Sequence, residues 1–135
     1  MATLRYLLDT NAVSAIMKDP HGTLARRLAA MERGELGISI IVACELRYGA
    51  ARKQSPRLTA QLEAILEGID LVSMDAGTEQ HYGEIRAALE RAGLSIGQNN
   101  LLIAAHARAL DVTLVTTNTS EFERVEHLTI ENWQA

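Results

Sequence analysis

Apolar residues along the chain follow two patterns: short continuous runs, and longer stretches in which they recur every three or four positions. The short runs predict strands, because strands buried in a parallel sheet are apolar throughout. The longer stretches predict amphipathic helices. The predicted strands occupy residues 4–9, 36–41, 69–74, 112–118 and 128–132, and the predicted helices occupy residues 10–18, 23–34, 42–53, 55–68, 75–93 and 97–110.

Residues that favour helix N-caps stand at the start of several helical segments. Thr10 or Asn11 is expected to cap the first helix, and Asp75 the fifth. Ser55 is followed by a proline, the residue favoured at the first helical position. The last helix opens with two adjacent amides, of which Asn99 is expected to be the cap. This helix is apolar on nearly all sides and is therefore expected to be buried.

Strands that alternate with helices predict an α/β fold with a mostly parallel sheet covered on both faces. The chain contains no internal repeat and no flexible linker, so residues 1–135 are expected to form one domain. In open sheets of this kind, functional sites form beyond the carboxyl ends of the strands, where the strand order reverses. Polar residues at the ends of the predicted strands are therefore the first candidates for chemistry.

The composition narrows the class of protein. Hydrophobic residues make up 47% of the chain and charged residues 22%, as in ordinary globular proteins. The single cysteine, Cys44, excludes an internal disulfide and a multi-cysteine zinc site. No apolar run approaches a membrane span, and the polar start does not resemble a signal peptide, so a cytoplasmic location is expected. The formal net charge of -4 argues mildly against nucleic-acid binding unless metal ions and local arginines offset the repulsion.

Acidic and amide residues gather at the ends of two predicted strands. If strands one and four are neighbours, these groups converge on one small cup. Three carboxylates facing each other there would repel unless a cation lay between them, and hard oxygen ligands suit Mg²⁺ or Mn²⁺. Such ions activate water and hold a phosphate for in-line attack, as in nucleases. The candidates are Asp9, Asn11, Glu45, Asn99, Asn100, Thr116, Thr117, Asn118 and Glu121.

Each acid also has a purely structural interpretation. Asp9 follows a strand and could simply cap the next helix. Glu45 could point outward and pair with a nearby arginine, since an inward glutamate is costly without a partner. Glu121 shares its loop with other glutamates and could be solvated charge. His106 is expected to be a packed or surface helical residue, and Trp133 is expected to close the core.

Four segments in this order resemble the VapC-type PIN-domain ribonuclease toxins: LLDTNAVS, ISIIVACELRYGA, SIGQNNLLIAAHARALDVTLVTTNTSEF and LTIENW. Together they extend over nearly the whole chain. The resemblance implies a three-layer α/β/α fold with an acidic cup. It also implies a Mg²⁺-dependent endoribonuclease, commonly acting on tRNA or other structured RNA, that is inhibited by a cognate VapB-like antitoxin.

Matched by position, Asp9 and Glu45 resemble two metal-binding acids of the family, and Glu121 occupies a further acidic position. The resemblance also implies that Asn11, Thr116 and Asn118 shape the cup or orient ligands and water.

The chain departs from the family where a principal metal-binding Asp is replaced by Asn100, which offers an oxygen without a charge. Mg²⁺ affinity and activity are therefore expected to be reduced. The change is either engineered or a natural loss, and the otherwise intact cup favours the first. A smaller departure is Val42, where a Thr often stands.

Two other functions compete with this one. A phosphotransfer receiver domain also has an acid after its first strand, but it requires an acidic pair there and a late lysine. Here Asp9 is followed by Thr10 and Asn11, and no lysine follows Lys53. A non-catalytic binding module of the same fold is the second alternative, and the missing charge at Asn100 fits it. Metal titration would separate a binding module from a nuclease.

The expected partners follow from the cup and from the resemblance. An antitoxin arginine could neutralise the acids, and an amphipathic antitoxin segment could lie on the apolar faces around residues 24–31 and 41–66. The resemblance also implies a homodimer. RNA phosphates could contact a basic surface, although a solvated helix face explains the same residues equally well. Its candidate members are Arg26, Arg27, Arg47, Arg52, Lys53 and Arg57.

Overall fold

The computed structural model describes residues 3–134, which form a five-stranded sheet flanked by helices. The strands are β1 (Tyr6–Leu8), β2 (Leu36–Ser39), β3 (Asp70–Val72), β4 (Thr113–Val115) and β5 (Ile130–Glu131). The helices are α1 (Thr10–Lys18), α2 (Thr23–Ala29), α3 (Ile40–Lys53), α4 (Pro56–Gly68), α5 (Thr78–Ala92), α6 (Gln98–Leu110) and α7 (Thr119–Phe122). No helix within residues 3–134 is both long and apolar enough to cross a membrane.

The sheet has the order β3-β2-β1-β4-β5, and every adjacent pair of strands is parallel. Successive residues of a strand point to opposite faces, and Leu7 and Leu8 of β1 are both fully buried. Both faces of the sheet are therefore covered, which confirms the predicted three-layer α/β/α architecture.

The centre of the fold is the point where the strand order reverses. β1 lies between β2 and β4, with Leu8 opposite Ile38 on one side and Val115 on the other. The expectation that strands one and four are neighbours is confirmed. Because all three strands are parallel, the residues that follow them reach the same edge of the sheet. We call this edge, after Leu8, Ser39 and Val115, the polar edge.

The buried core explains the nearly all-round apolar character of the last long helix. In α6, Ile103, Ala104 and Ala105 are fully buried, which confirms the expectation that this helix lies in the interior. Trp133 is also fully buried and belongs to the same core, as expected. The ring of Tyr6 meets it edge-on at a centroid distance of 5.1 Å.

Several predicted boundaries were wrong, for local reasons. The strands are shorter than the apolar runs, and the second ends at Ser39 because its hydroxyl accepts the Ile41 amide at 3.2 Å and starts α3. Residues 40 and 41 are therefore helical. α2 ends at Ala29, before the predicted stop at Gly34.

The predicted N-caps were partly right. Ser55 caps α4 by accepting the amide of Leu58, as expected. The cap of α5 is Gly77 rather than Asp75, whose backbone carbonyl, not its carboxylate, accepts the Thr78 amide. The cap of α1 is Asp9, one residue before the predicted Thr10 or Asn11, and this places the helix start directly on the polar edge.

Candidate functional site

Asp9 is the most buried acid of the polar edge, with 2% of its surface exposed. Its Oδ1 accepts the backbone amide of Ala12 at 2.8 Å, and its Oδ2 accepts the hydroxyl of Thr116 at 2.5 Å. Burial raises the pKa of Asp9, these two hydrogen bonds oppose the rise, and the negative charge of Glu45 adds to it. Asp9 is therefore both the cap of α1 and a carboxylate of the edge, so the two interpretations do not exclude each other.

Thr116 connects Asp9 to the loop after β4. Its side chain is fully buried, and its hydroxyl accepts the backbone amide of Asn118 at 2.8 Å while donating to Asp9. This pair of bonds fixes the first turn after the strand. Asn118 then stands at the start of α7, a short helix that the sequence pattern did not predict.

Glu45 lies in α3 and turns toward the edge. Thr10 donates its hydroxyl to Oε1 at 2.5 Å, and Asn99 donates its side-chain amide to Oε2 at 3.2 Å. The alternative in which Glu45 points outward to an arginine was wrong, since the neighbouring Arg47 pairs with Glu63 instead. Both oxygens of Glu45 are thus held by polar groups from two other helices.

Glu121 accepts three hydrogen bonds at the other end of the edge. The donors are the backbone amide of Gly97 at 3.0 Å and the side-chain amides of Asn100 at 3.1 Å and Asn118 at 2.8 Å. The bond from Asn100 contributes most to a lowered pKa of Glu121. The interpretation of Glu121 as solvated loop charge was therefore wrong.

The first turn of α6 presents the two adjacent amides to different acids. Its N-cap is Gly97, which makes no side-chain cap bond, so the expectation that Asn99 caps the helix was wrong. Asn99 instead reaches Glu45, and Asn100 reaches Glu121. Sequence reasoning missed Thr10 and Asn99 as partners of Glu45, because nothing in the spacing of one chain shows which helix start faces which acid.

Asn11 is less involved than expected. It lies in the first turn of α1 and is exposed. Within residues 3–134 its side chain makes no hydrogen bond to the acids of the edge. The structure therefore places Asn11 beside the edge without connecting it to the other candidates.

The acids of the edge form no ion pairs among the described residues, although the charge of Arg124 contributes to the lowered pKa of Glu121. Within residues 3–134 no lysine, arginine or histidine forms an ion pair with Asp9, Glu45 or Glu121. Over the same range, no three acidic, histidine or cysteine side chains come close enough to hold a metal ion together. The predicted meeting of these three carboxylates around one ion stays a prediction, and Glu121 is bound here by donors around α6 and α7.

A smaller set of oxygen donors remains compatible with a cation. Asp9 and Glu45 are close enough for their charges to interact, and the amide oxygen of Asn100 belongs to the same edge. Two carboxylates and an amide are hard oxygen donors, the type that Mg²⁺ and Mn²⁺ prefer. The residues present therefore fit such an ion, although with one negative charge fewer than three carboxylates would supply.

A groove of about 230 Å³ opens beside Glu45 and Thr10, between α1, α3 and α4. It is lined mainly by apolar surface and carries a lysine at two places on its rim. Part of its lining comes from the predicted apolar face 41–66, whereas the face 24–31 does not contribute. The lining residues are Thr10, Ser14, Met17, Lys18, Glu45, Leu46, Gly49, Ala50, Lys53 and Leu58.

Two members of the predicted basic surface have partners within the chain. Arg47 pairs with Glu63, and the guanidinium of Arg27 lies over the ring of Trp133 at 4.6 Å from its centroid. The exposed residues Arg52 and Lys53 at the end of α3 remain as the compact part of that surface.

Comparison with known proteins decides the family. The pattern of the PIN domain matches residues 6–128. Ribonuclease VapC2 of Rickettsia felis is 40% identical over 130 residues, which cover 95% of this chain and 97% of that protein. This chain belongs to the VapC family of PIN-domain proteins.

Other members of the VapC family agree in sequence and in structure. The tRNA(fMet)-specific endonuclease VapC of Shigella flexneri is 38% identical over 96% of this chain and 98% of its own length. The crystal structure of DNA-bound VapBC from Salmonella typhimurium contains a chain with a TM-score of 0.91 and 32% identity, covering 97% of this chain and 99% of that one. The resemblance seen in the sequence motifs is thus confirmed over the whole fold.

Proposed function

We propose that this VapC-family protein is the toxin of a type II toxin–antitoxin pair, a single-domain, metal-dependent endoribonuclease that acts in the cytoplasm. One observation carries the proposal. Buried Asp9 and half-buried Glu45 lie together at the carboxyl edge of the sheet without an ion-pair partner among residues 3–134, in a chain that matches named ribonucleases over nearly its whole length.

The metal in this proposal is Mg²⁺, with Mn²⁺ as a substitute. Asp9, Glu45 and the amide oxygen of Asn100 would hold it, and when bound it supplies an activated water and a clamp for the scissile phosphate. Thr116 holds Asp9 in position, while Thr10 and Asn99 hold Glu45.

The remaining polar residues shape the site. Glu121 and Asn118 fix the start of α7 beside Asn100, and Asn11 lies on the exposed side, where it can meet RNA. Asn100 contributes an oxygen without a charge. Affinity for the ion is therefore reduced relative to a site with aspartate there, and activity is impaired.

RNA is the proposed substrate class, and structured tRNA is the first candidate within it. Two relatives, from Shigella flexneri and Salmonella typhimurium, are named tRNA(fMet)-specific endonucleases and are 38% and 33% identical to this chain. The exposed Arg52 and Lys53 at the end of α3 can contact RNA phosphates. Lys53 lines the groove beside Glu45, which supports an RNA contact on the same side as that acid.

The proposed partner is a VapB-like antitoxin, and the proposed assembly is a homodimer of the toxin bound by that antitoxin. Two solved structures that resemble this chain, from Rickettsia felis and Salmonella typhimurium, are named as VapBC complexes, which supports this partner. The groove beside Glu45 suits an amphipathic antitoxin segment, since its lining is mainly apolar. An arginine of that segment could pair with Glu45 and silence the site.

A non-catalytic binding module is the second candidate. It is favoured by one observation, the neutral side chain of Asn100, which satisfies Glu121 without any ion. In that case the edge receives a basic side chain of a partner and cleaves nothing.

RNA cleavage and metal binding together separate the two candidates. The chain and its Asp9→Asn variant are incubated with labelled tRNA in Mg²⁺, in Mn²⁺ and in EDTA, and Mn²⁺ binding is followed by calorimetry. The nuclease proposal expects weak, EDTA-sensitive cleavage and measurable Mn²⁺ binding, both lost in Asp9→Asn. Absence of both from the unchanged chain would contradict it and leave the binding module.

A further inference from the structure

Asn99 and Asn100, adjacent in the first turn of α6, contact acids that belong to two different helices. The Asn99 amide donates to Oε2 of Glu45 at 3.2 Å, in α3. The Asn100 amide donates to Oε1 of Glu121 at 3.1 Å, in α7. The start of α6 thus links two separate elements of the polar edge through two neutral side chains.

Neutral donors supply every hydrogen bond to these two acids, and the charge of Arg124 makes only a lesser contribution to the lowered pKa of Glu121. Glu121 also accepts from the Gly97 amide and from Asn118, and Glu45 also accepts from Thr10. Within residues 3–134 neither acid has an ion-pair partner. Hydrogen bonds to an ionised carboxylate are about twice as strong as neutral ones, so these amides can stabilise the charges without a cation.

We propose that Asn99 and Asn100 are positioning residues that hold Glu45 and Glu121 by neutral hydrogen bonds, so that the polar edge is stable in the absence of a metal ion. This inference rests on the proposed function, in which the same edge binds Mg²⁺. It assigns a second consequence to the missing charge. Asn100 weakens metal binding and also lowers the stabilisation that a metal ion would add to the fold.

A carboxylate at position 100 would reverse both effects. The Asn100 amide nitrogen lies 3.1 Å from Oε1 of Glu121, so an aspartate there would bring two negative charges close together. Like charges at such a distance destabilise the folded state unless a cation lies between them. The thermal stability of an Asn100→Asp variant is therefore expected to rise when Mg²⁺ is added.

Thermal unfolding of the full chain in EDTA and in Mg²⁺ tests this directly. In EDTA, Asn100→Asp is expected to melt roughly 3–6 °C below the unchanged chain. Mg²⁺ is expected to recover most of that loss while shifting the unchanged chain much less. Asn99→Asp should behave similarly, because its new charge faces Glu45.

The matched control is Gln80→Glu, which also adds one negative charge. Gln80 is exposed in α5. Its neighbour His81 contacts Arg108 in the last turn of α6, whereas Asn100 lies in the first turn, so Gln80 is remote from the polar edge. Its melting temperature should match that of the unchanged chain in both buffers.

A double-mutant cycle separates the charge effect from a general disturbance of the helix start. In a Glu121→Gln background the repulsion is absent. The decrease in melting temperature caused by Asn100→Asp should there be less than half of the decrease measured with Glu121 present. If Asn100→Asp does not fold, Asn100→Ala replaces it in the test. That variant removes the donor without adding charge and should melt below the unchanged chain with no added response to Mg²⁺.

The outcomes distinguish this inference from the proposed function. Loss in EDTA with recovery in Mg²⁺ supports both. Loss in EDTA without recovery supports the positioning role and contradicts metal binding at this edge. An Asn100→Asp variant as stable in EDTA as Gln80→Glu, or an Asn100→Ala variant as stable as the unchanged chain, would overturn the positioning role.

Discussion

Replacing Thr116 with valine tests how the buried acid of the polar edge is held. The Thr116 hydroxyl donates to Asp9 at 2.5 Å and accepts the Asn118 amide at 2.8 Å, and its side chain is fully buried. Valine has nearly the same shape but can form neither bond. The substitution therefore removes the polar contacts and leaves the volume of the core unchanged.

The expected loss follows from those two bonds. A hydrogen bond to a charged group contributes about 1.5–3 kcal/mol, and leaving the Asn118 amide without its acceptor costs about 1 kcal/mol more. The added apolar group returns about 0.8 kcal/mol. Thr116→Val should thus lower the free energy of unfolding by about 2–3 kcal/mol, and it should raise the pKa of Asp9 further, because the Thr116 bond opposes that rise.

Urea denaturation followed by the fluorescence of the single tryptophan, Trp133, measures this loss. Thr116→Ser keeps the hydroxyl and should lose much less than Thr116→Val. Thr129→Val makes the same chemical change at an exposed position and should leave the free energy of unfolding nearly unchanged. Equal losses in Thr116→Ser and Thr116→Val, or a loss in Thr116→Val no larger than in Thr129→Val, would show that the hydroxyl of Thr116 does not stabilise the fold.

Three further predictions concern other parts of the fold. Burial lowers the pKa of His106, so below the ordinary value of about 6.5 the unfolded chain binds more protons than the folded chain. The free energy of unfolding, measured by urea denaturation, should therefore fall as the pH falls from about 6.5 toward the lowered pKa. His106→Gln should flatten that slope. Arg108, only 12% exposed in its side chain, donates to His81, Glu84 and the Glu126 carbonyl, so Arg108→Met should lose about 2 kcal/mol in the same assay. Ser55→Ala removes the cap of α4 and should lose about 1 kcal/mol by thermal or urea unfolding.

Each of these predictions has a result that would contradict it. A free energy of unfolding independent of pH between 5 and 7 would show that His106 does not titrate differently in the folded state. Arg108→Lys retains the charge but cannot form the fork of three bonds, so full stability in that variant would show that the hydrogen bonds contribute little. Ser95→Ala, outside any helix cap, should cause no loss, and a loss equal to that of Ser55→Ala would argue against capping.

The fold was predictable because its signals are local and repeated. Alternating apolar runs and helical stretches indicated the parallel sheet, and the position of Asp9 directly after the first strand placed it at the carboxyl edge. Element ends were less predictable. Ser39, Asp9 and Gly77 start helices through single hydrogen bonds or backbone geometry, and neighbouring polar residues look equally suitable in the sequence.

The partners within the candidate site were the least predictable feature. The sequence placed Glu45 and Glu121 near the edge, but the rotation of α6 decides which amide meets which acid. That rotation is set by the packing of buried residues of α6 such as Ile103, one turn further along the helix. The contact therefore depends on packing some distance away, and no spacing rule within one chain encodes it.

The Mg²⁺ dependence of RNA cleavage by the unchanged chain and by Asn100→Asp shows whether Asn100 occupies a metal-ligand position. The cleavage rate of labelled tRNA is measured over a range of Mg²⁺ concentrations, with Asp9→Asn as the inactive control. The restored carboxylate should raise the rate at limiting Mg²⁺ by at least about tenfold, since even outer partners of a metal site change affinity or activity by roughly 10–100-fold. Equal rates and equal Mg²⁺ requirements in the two proteins would contradict the claim that Asn100 occupies a metal-ligand position.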